Sequence, residues 1–332
     1  MTVPQITVQG LSKIYRVPVR AEGLRASLKS LIKRTYNDVH AVLDVSFAIE
    51  SGEIVGLIGP NGAGKTTTLK ILTGLLHPTT GLARVAGFIP WQRKHAYLRQ
   101  ISMVMGNKSQ MIWDIPPMDS FRVLGEIYSV PSSQFKQTLD ELIDLLDMQE
   151  LLTKPVRNLS LGERMKCELV AGLLYRPVVM FLDEPTLGLD VSMQLRLRRF
   201  LAEYNRKSGV TILLTSHYMA DVMALCPRVI LIHHGKLLYD GELGALAQKM
   251  APFKLVRITL GAENGSVSRE IPLPAGVEIT QRENNLLTLR VGRAEAPSVT
   301  AQLLQSLPVA DLTVEDPPIE AVIDQVYMEG GV

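Results

Sequence analysis

Three stretches of this chain carry residue types that could act together on a phosphate ester. The first is Gly59-Pro-Asn-Gly-Ala-Gly-Lys-Thr66. Its glycines let the backbone wrap closely round an anion, so that successive N–H groups point inward. The helix expected from about residue 65 adds the positive end of its dipole. Lys65 would reach the β- and γ-phosphates of a nucleotide, and the Thr66 hydroxyl a Mg2+ ion. The second stretch is Val178-Val-Met-Phe-Leu-Asp-Glu184. A continuous apolar run of this kind reads as a central parallel strand, buried on both faces, with its two carboxylates at the carboxyl edge. Asp183 would join the Mg2+ sphere, and Glu184 would orient or deprotonate an attacking water. The third is Val210-Thr-Ile-Leu-Leu-Thr-Ser-His217, a second buried strand ending in a histidine that could contact the γ-phosphate or its water. Taken singly, the acids are a solvated strand end and the histidine a satisfied core residue. After a phosphate loop, the set outlines a nucleotide hydrolase.

The elements that must position these residues are legible as periodic runs. Residues 53–58 form a short buried strand that feeds the loop, and residues 66–72 form the helix that leaves it. Upstream, residues 5–15 alternate as an edge strand and residues 41–49 as a second strand. Residues 83–89 and 100–105 are further strands. From 113 to about 176 the pattern turns helical, with helices over 121–128 and 133–146 and a third that begins at Ser160. There Ser160 and Glu163 have capping-box spacing. Helices over 195–204 and 219–225 flank the strand at 210–217. Residues 228–233 and 236–239 form a hairpin through His234-Gly235. Around residue 250 the texture changes. Strands over 253–260, 276–280, 285–291 and 311–314, with helices over 297–307 and 318–327, make a small mixed domain. It shows no catalytic constellation.

Composition narrows the class. With 332 residues, 46% hydrophobic and 20% charged, the chain is large enough for two domains. A net charge of +2 does not argue for nucleic acid. No apolar run approaches the roughly 18 residues a bilayer crossing needs, and the N-terminal Met-Thr-Val-Pro-Gln is no signal peptide. Cys167 and Cys226 have no C-x-x-C spacing and read as buried free thiols of a reducing compartment. One local feature stands out. Between 16 and 34, Arg16, Arg20, Arg25, Lys29, Lys33 and Arg34 face a single acid, Glu22, while Leu24, Leu28, Leu31 and Ile32 share a helical face. This basic amphipathic helix either packs on its own domain or meets a lipid surface or membrane partner.

With Leu159-Ser-Leu-Gly-Glu163 added, the sequence resembles the ATP-binding cassette (ABC) ATPases over roughly residues 5–245. The resemblance makes Gly59-to-Thr66 the Walker A loop, 159–163 the signature, 178–183 Walker B, Glu184 the catalytic glutamate, 187–190 the D-loop and His217 the switch histidine. It implies an α/β P-loop NTPase fold with a RecA-like core, an antiparallel β-subdomain and a helical subdomain at about 107–176. This ABC ATP-binding domain would span 1–248, with a C-terminal accessory α+β domain over 249–332. ATP would be bound by Tyr15, Gly59, Pro60, Asn61, Gly62, Ala63, Gly64, Lys65, Thr66 and Thr67. In this family two cassettes stack head to tail, so Ser160, Gly162, Glu163 and Asp190 would reach a nucleotide across the interface. Catalysis would rest on Glu184, His217, Lys65 and Ser160, and Mg2+ on Thr66, Asp183 and Asn107.

The chain departs from the family pattern in three places. Leu161 stands where glycine is usual and Glu163 where glutamine is usual. The Q-loop glutamine is replaced by Asn107, with Gln110 as the other candidate. The base-stacking aromatic is Tyr15 or Tyr36, with Tyr15 in the usual Leu-x-Lys-x-Tyr context. The run from Thr66 to Gly81 and the ending Leu312-Thr-Val-Glu-Asp-Pro-Pro-Ile-Glu320 look like the ATPase subunits of ABC-2-type exporters. The inserted 15–41 stretch and residues 105–116 look closest to those labelled viologen or multidrug exporters. The resemblance therefore implies ATP hydrolysis coupled to export through a separate ABC-2-type membrane permease. The protein would lie at the cytoplasmic face of the inner membrane, in a homodimer or heterodimer of cassettes, with no nucleic acid expected as partner. The alternative of another class is a soluble ABC ATPase acting on nucleic acid or ribosomes; within transport, import is the lesser alternative.

Overall fold

The computed structural model describes residues 4–18, 36–106, 108–216, 218–261, 273 and 276–330. The chain divides into two compact units, Met1–Gly241 and Glu242–Val332. The division falls seven residues before the boundary expected at 248, because the helix Leu243–Met250 belongs with the second unit.

In the first unit the elements run β1 (Ile6–Pro18), β2 (Tyr36–Ile49), β3 (Ile54–Ile58), α1 (Lys65–Leu72), β4 (Thr80–Val85), α2 (His95–Leu98) and β5 (Ile101–Met105). A helical stretch follows with α3 (Pro117–Ile127), α4 (Ser132–Leu146) and α5 (Leu161–Leu173). The chain then returns through β6 (Val179–Asp183), α6 (Val191–Ser208), β7 (Thr211–Thr215), α7 (Met219–Leu225), β8 (Arg228–His233) and β9 (Lys236–Glu242). Six of the strands form one sheet in the order β5-β6-β7-β3-β8-β9. The registered pairs β5–β6, β6–β7, β7–β3 and β3–β8 are all parallel. Strands covered on both faces need apolar side chains at every position, not at alternate ones. Accordingly β7 is buried throughout and β6 is buried up to Asp183. The register sets Asp183 beside Met105 on one side and Thr215 on the other. The carboxyl ends of β5, β6 and β7 therefore come level.

A second, antiparallel sheet has the order β2-β1-β4. Here β1 is the central strand and not the edge strand its alternation suggested. Ile6, Val8 and Leu11 are buried in a core shared with Ile49, Val55, Leu69 and Leu72. β2 begins five residues earlier than expected, so β1 and β2 continue as a ladder to the Pro18–Tyr36 pair, and Arg16 lies on β1 facing Asp38 at 3.7 Å. The amphipathic helix expected within 16–34 falls almost entirely on residues outside those described. β4 ends at Val85 and not at 89, because Ala86 and Gly87 both have positive φ, 49° and 82°, and turn the chain back so that Phe88 bridges Val85.

The second unit holds α8 (Leu243–Met250), β10 (Phe253–Leu260), β11 (Glu278–Glu283), β12 (Leu286–Gly292), α9 (Ala296–Ser306), β13 (Val309–Glu315) and α10 (Ile319–Glu329). Its antiparallel sheet has the order β11-β12-β10-β13. Val256, Ile258, Leu287, Leu289 and Val291 alternate onto one face and pack against Val299 and Leu303 of α9. Both cysteines are free and buried. Burial pushes the Cys167 thiol up to about 12 and raises that of Cys226 further. Among the described residues no helix is long and apolar enough to cross a membrane.

Candidate nucleotide site

The phosphate loop joins β3 to α1. Its shape depends on residues without side chains. A Cβ at Gly59 would lie 2.1 Å from the Ile232 carbonyl oxygen, and one at Gly64, where φ is 108°, would lie 2.3 Å from that of Ala41. The loop is thus wedged between β8 and β2, and Gly235 donates its N–H to Ala63 O at 3.0 Å from the turn after β8. α1 starts with Gly64 as its N-cap. No side chain caps it and no acid stands in its first turn, so its leading N–H groups face outward as an anion site.

Lys65 is only 5% exposed. Its ammonium donates to the carbonyls of Gly59 at 2.6 Å and Pro60 at 3.1 Å, arched over the loop. Burial lowers its pKa, while the carboxylates of Glu184 and Asp183 oppose that shift. Asp183 Oδ1 accepts from Thr66 Oγ1 at 3.3 Å and from Thr215 Oγ1 at 2.7 Å. A hydroxyl and a carboxylate converging from α1 and β6 are hard oxygen donors of the kind Mg2+ takes, in a site where the ion keeps water and phosphate for its other positions. No cluster of three or more acids, histidines or cysteines exists among the described residues. The Thr66 hydroxyl and the Asp183 carboxylate fit Mg2+.

Glu184 follows Asp183 in a left-handed conformation, φ 55°, uncommon for a residue with a side chain. Its backbone is clamped from two sides. Its N–H donates to Thr215 O at 3.1 Å, and a Cβ at Gly106 would lie 2.3 Å from Glu184 O. Strained backbone of this kind persists where its surroundings over-determine it, and such places cluster at functional sites. Thr66, Asp183, Glu184 and Leu187 line one pocket of about 140 Å3, together with Met105, Lys70 and Lys108. Thr215, Lys70 and Lys108 belong to no motif. Thr215 is brought here by the register of β6 with β7, Lys108 by the return of the chain after β5, and Lys70 by lying one turn after Thr66 on α1.

His217 and Asn107 lie outside the described residues. Gln110, the other Q-loop candidate, does not line this pocket. Its side-chain amide donates to Met103 O at 3.1 Å, and its backbone N–H donates to both oxygens of Glu168 at 3.0 Å. Glu168 is buried on α5, which raises its pKa despite those donors and the Ser109 hydroxyl. Tyr15 pairs with Val39, two residues from the Ala41 that touches the phosphate loop, whereas Tyr36 pairs with Pro18 farther along the ladder. Lys13 places its ammonium 5.3 Å from the Tyr15 ring centroid.

The signature residues do not enter the 140 Å3 pocket of their own chain. Ser160 is the N-cap of α5 in a complete capping box. Its hydroxyl accepts from Glu163 N at 3.3 Å, and its N–H donates to the Glu163 carboxylate at 2.8 Å. That backbone bond is the main reason the Glu163 pKa falls below the ordinary carboxylate value. Leu161 is 37% exposed and its side chain reaches to 3.0 Å from where a Cβ of Gly188 would stand. Gly162 faces the Met193 side chain. Asp190 caps α6, accepting from Met193 N at 2.9 Å.

Comparison with known proteins agrees with this geometry. A protein-family model described as "ABC transporter" matches residues 42–187. A second, "EvrA-like ABC transporter, C-terminal domain", matches residues 252–315. The ABC transporter ATP-binding protein NatA of Bacillus subtilis is 34% identical over 208 residues, covering 63% of this chain and 84% of that protein. The Nod factor export ATP-binding protein I of Burkholderia lata is 33% identical over 222 residues, covering 65% and 71%. A solved structure of an ATP binding subunit of an ABC transporter superposes with a TM-score of 0.61 at 25% identity, covering 74% of this chain and 92% of its own. On the strength of these relatives, the chain belongs to the family of ABC transporter ATP-binding proteins.

Proposed function

We propose that this ABC ATPase drives export through a separate membrane permease, and that it works as one of two cassettes closing on ATP. The observation that carries the catalytic part is the meeting of Thr66 and Thr215 on Asp183, with Glu184 next in the chain. The loop N–H groups, α1 and Lys65 bind the triphosphate. Thr66 and Asp183, with Asn107 as the third candidate, would hold Mg2+, which supplies charge neutralisation at the phosphates. Glu184 takes a proton from the attacking water or orients it, and His217 is the residue that would meet the γ-phosphate. Tyr15 stacks on the base. Its register near Ala41 supports it over Tyr36, which lies about 10 Å farther along the strand at 3.4 Å per residue.

The signature supports the paired arrangement. Ser160, Gly162, Glu163 and Asp190 stand apart from the pocket of their own chain, so a role at the nucleotide belongs to a second copy or a related cassette. The similarity to a Nod factor export protein supports export. Membership of the ABC transporter ATP-binding proteins supports a partner in the membrane, which would place the protein at the inner face of that membrane. The nucleic-acid alternative leans on residues 16–34, of which only 16–18 are described.

Glu184→Gln tests the reading. Removing the base should leave ATP binding near normal and slow hydrolysis by roughly 10²–10⁴-fold, with a closed dimer accumulating in ATP. Pull-down of that variant from detergent-solubilised membranes should recover a multi-span permease in fixed ratio. Near-wild-type turnover would remove Glu184 from its role, and recovery of ribosomes or nucleic acid alone would overturn export.

A further inference from the structure

A buried carboxylate outside every motif sits behind the catalytic edge. Asp221, on α7, is 1% exposed. Its Oδ1 accepts from Arg198 Nε of α6 at 2.5 Å. Its Oδ2 accepts from Ser216 Oγ at 2.8 Å and from the Thr186 hydroxyl. Thr186 and Ser216 are themselves buried, at 2% and 4% exposure.

Each partner belongs to a different segment of the site. Thr186 lies two residues after Glu184, in a stretch of consecutive turns where Leu187 N donates to Glu184 O at 3.2 Å and Leu189 N to Thr186 O at 3.1 Å. Fixing Thr186 therefore fixes the turn that aims Glu184. Ser216 immediately precedes position 217, and its hydroxyl also accepts from Tyr218 N at 3.0 Å. Both neighbours of position 217 are thus tied to one hydroxyl. Arg198 donates onward to Gln194 Oε1 at 3.4 Å, and Gln194 donates to Leu189 O at 3.2 Å, one residue before Asp190.

A buried ion pair is a poor device for stability, since apolar side chains of the same volume serve as well or better. What it supplies is direction. A carboxylate that must satisfy both oxygens in a dry site fixes the groups that donate to it. We propose that Asp221 is a positioning residue for hydrolysis, holding the 184–189 turn, Ser216 and the start of α6 in one register. Asp221 touches no reacting atom. It acts through Thr186 on Glu184. The inference rests on the reading of Glu184 as the residue that activates water.

The test uses the full-length protein with ATP and Mg2+, comparing hydrolysis rate with equilibrium binding of a fluorescent ATP analogue. Asp221→Asn keeps the volume and loses the charge. It should lower kcat by about 10- to 100-fold through misplaced groups, with nucleotide affinity changed by no more than about twofold. Thr186→Val removes one link at nearly constant shape and should lower kcat by about tenfold, while Thr186→Ser, which keeps the hydroxyl, retains the wild-type rate. The double variant Asp221→Asn with Thr186→Val should be no slower than Asp221→Asn alone, since both cut one path. A lower Tm with unchanged kcat, or additive losses, would overturn the proposal. If Asp221→Asn does not fold, the Thr186→Val and Thr186→Ser pair decides. An inactive Glu184→Gln beside a fully active Asp221→Asn refutes only this inference, whereas an active Glu184→Gln refutes the reading beneath it.

Discussion

Two helix N-termini in this chain meet the same physical problem in opposite ways. α1 begins at Gly64 with no side-chain cap and no acid in its first turn. α5 begins at Ser160 with a complete capping box and with Glu163, an acid, in its first turn. The first end keeps its donors and its positive dipole for an incoming anion. The second has already satisfied one backbone donor with the Ser160 hydroxyl and has brought its own negative charge. A phosphate arriving at α1 meets backbone donors together with the Lys65 ammonium held over the loop. At α5 the Ser160 hydroxyl accepts from Glu163 N and keeps its own proton to donate, while the Glu163 carboxylate sets a negative charge in the first turn. The two helix ends are therefore unequal in charge: one offers an anion its donors with no acid in the first turn, the other offers them beside a carboxylate.

The largest expected effect lies at the open end. Lys65→Met removes the one ammonium arched over the loop and should cost about 10²–10³-fold in hydrolysis, as loss of a preorganised donor does. Measured turnover within a few-fold of wild type would break the contrast. An intermediate effect is expected at the capped end. Ser160→Ala should lower stability by about 1 kcal/mol, the usual worth of an N-cap, and should also slow hydrolysis in the paired state. Thermal unfolding and ATPase assays on the same samples separate the two losses, and an unchanged Tm would show that the capping box contributes nothing.

The smallest effect is one of pH. Glu163 has its folded pKa depressed below 4.5, chiefly by the Ser160 N–H. Such a group adds stability that is present above the unfolded value and is lost as pH falls through the lower folded value. The Tm difference between wild type and Glu163→Gln should therefore be steady above about pH 5 and shrink toward zero in more acid solution. A difference that grew on acidification would assign the cap to another group.

The chemistry was legible in the sequence wherever it is carried by consecutive residues. The phosphate loop, the Asp183–Glu184 strand end and the Ser160 capping box each lie within one short stretch, and the buried parallel strands showed as unbroken apolar runs. What stayed hidden depends on register. Thr215 looked like one more residue of a buried strand until pairing set it beside Asp183. Lys108 reads as a surface lysine in sequence and is a pocket residue in the fold, whereas Lys70, one turn after Thr66 on α1, follows from the helix period alone. Gln110 carried the expected side chain for a Q-loop, yet Glu168 and Met103 O claim its donors. The placing of β1 failed for a related reason. A strand flanked on both sides in an antiparallel sheet and one at its edge show the same alternation, because alternation reports the faces of a sheet and not its neighbours. The boundary at Gly241 was missed because α8 reads equally well as the end of one unit or the start of the next.

The state of the two thiols has a practical consequence. Cys167 and Cys226 are the chain's whole complement of cysteine, both are buried, and both thiols are raised far above neutral pH. Nucleophilic labelling needs a thiolate that solvent can reach, so the native protein is silent to maleimides and spin labels while it is folded. A cysteine introduced at an exposed site such as Leu161 or Val191 would then be the sole reactive handle. The opening and closing of two copies could be followed as a distance between probes without first removing any native side chain.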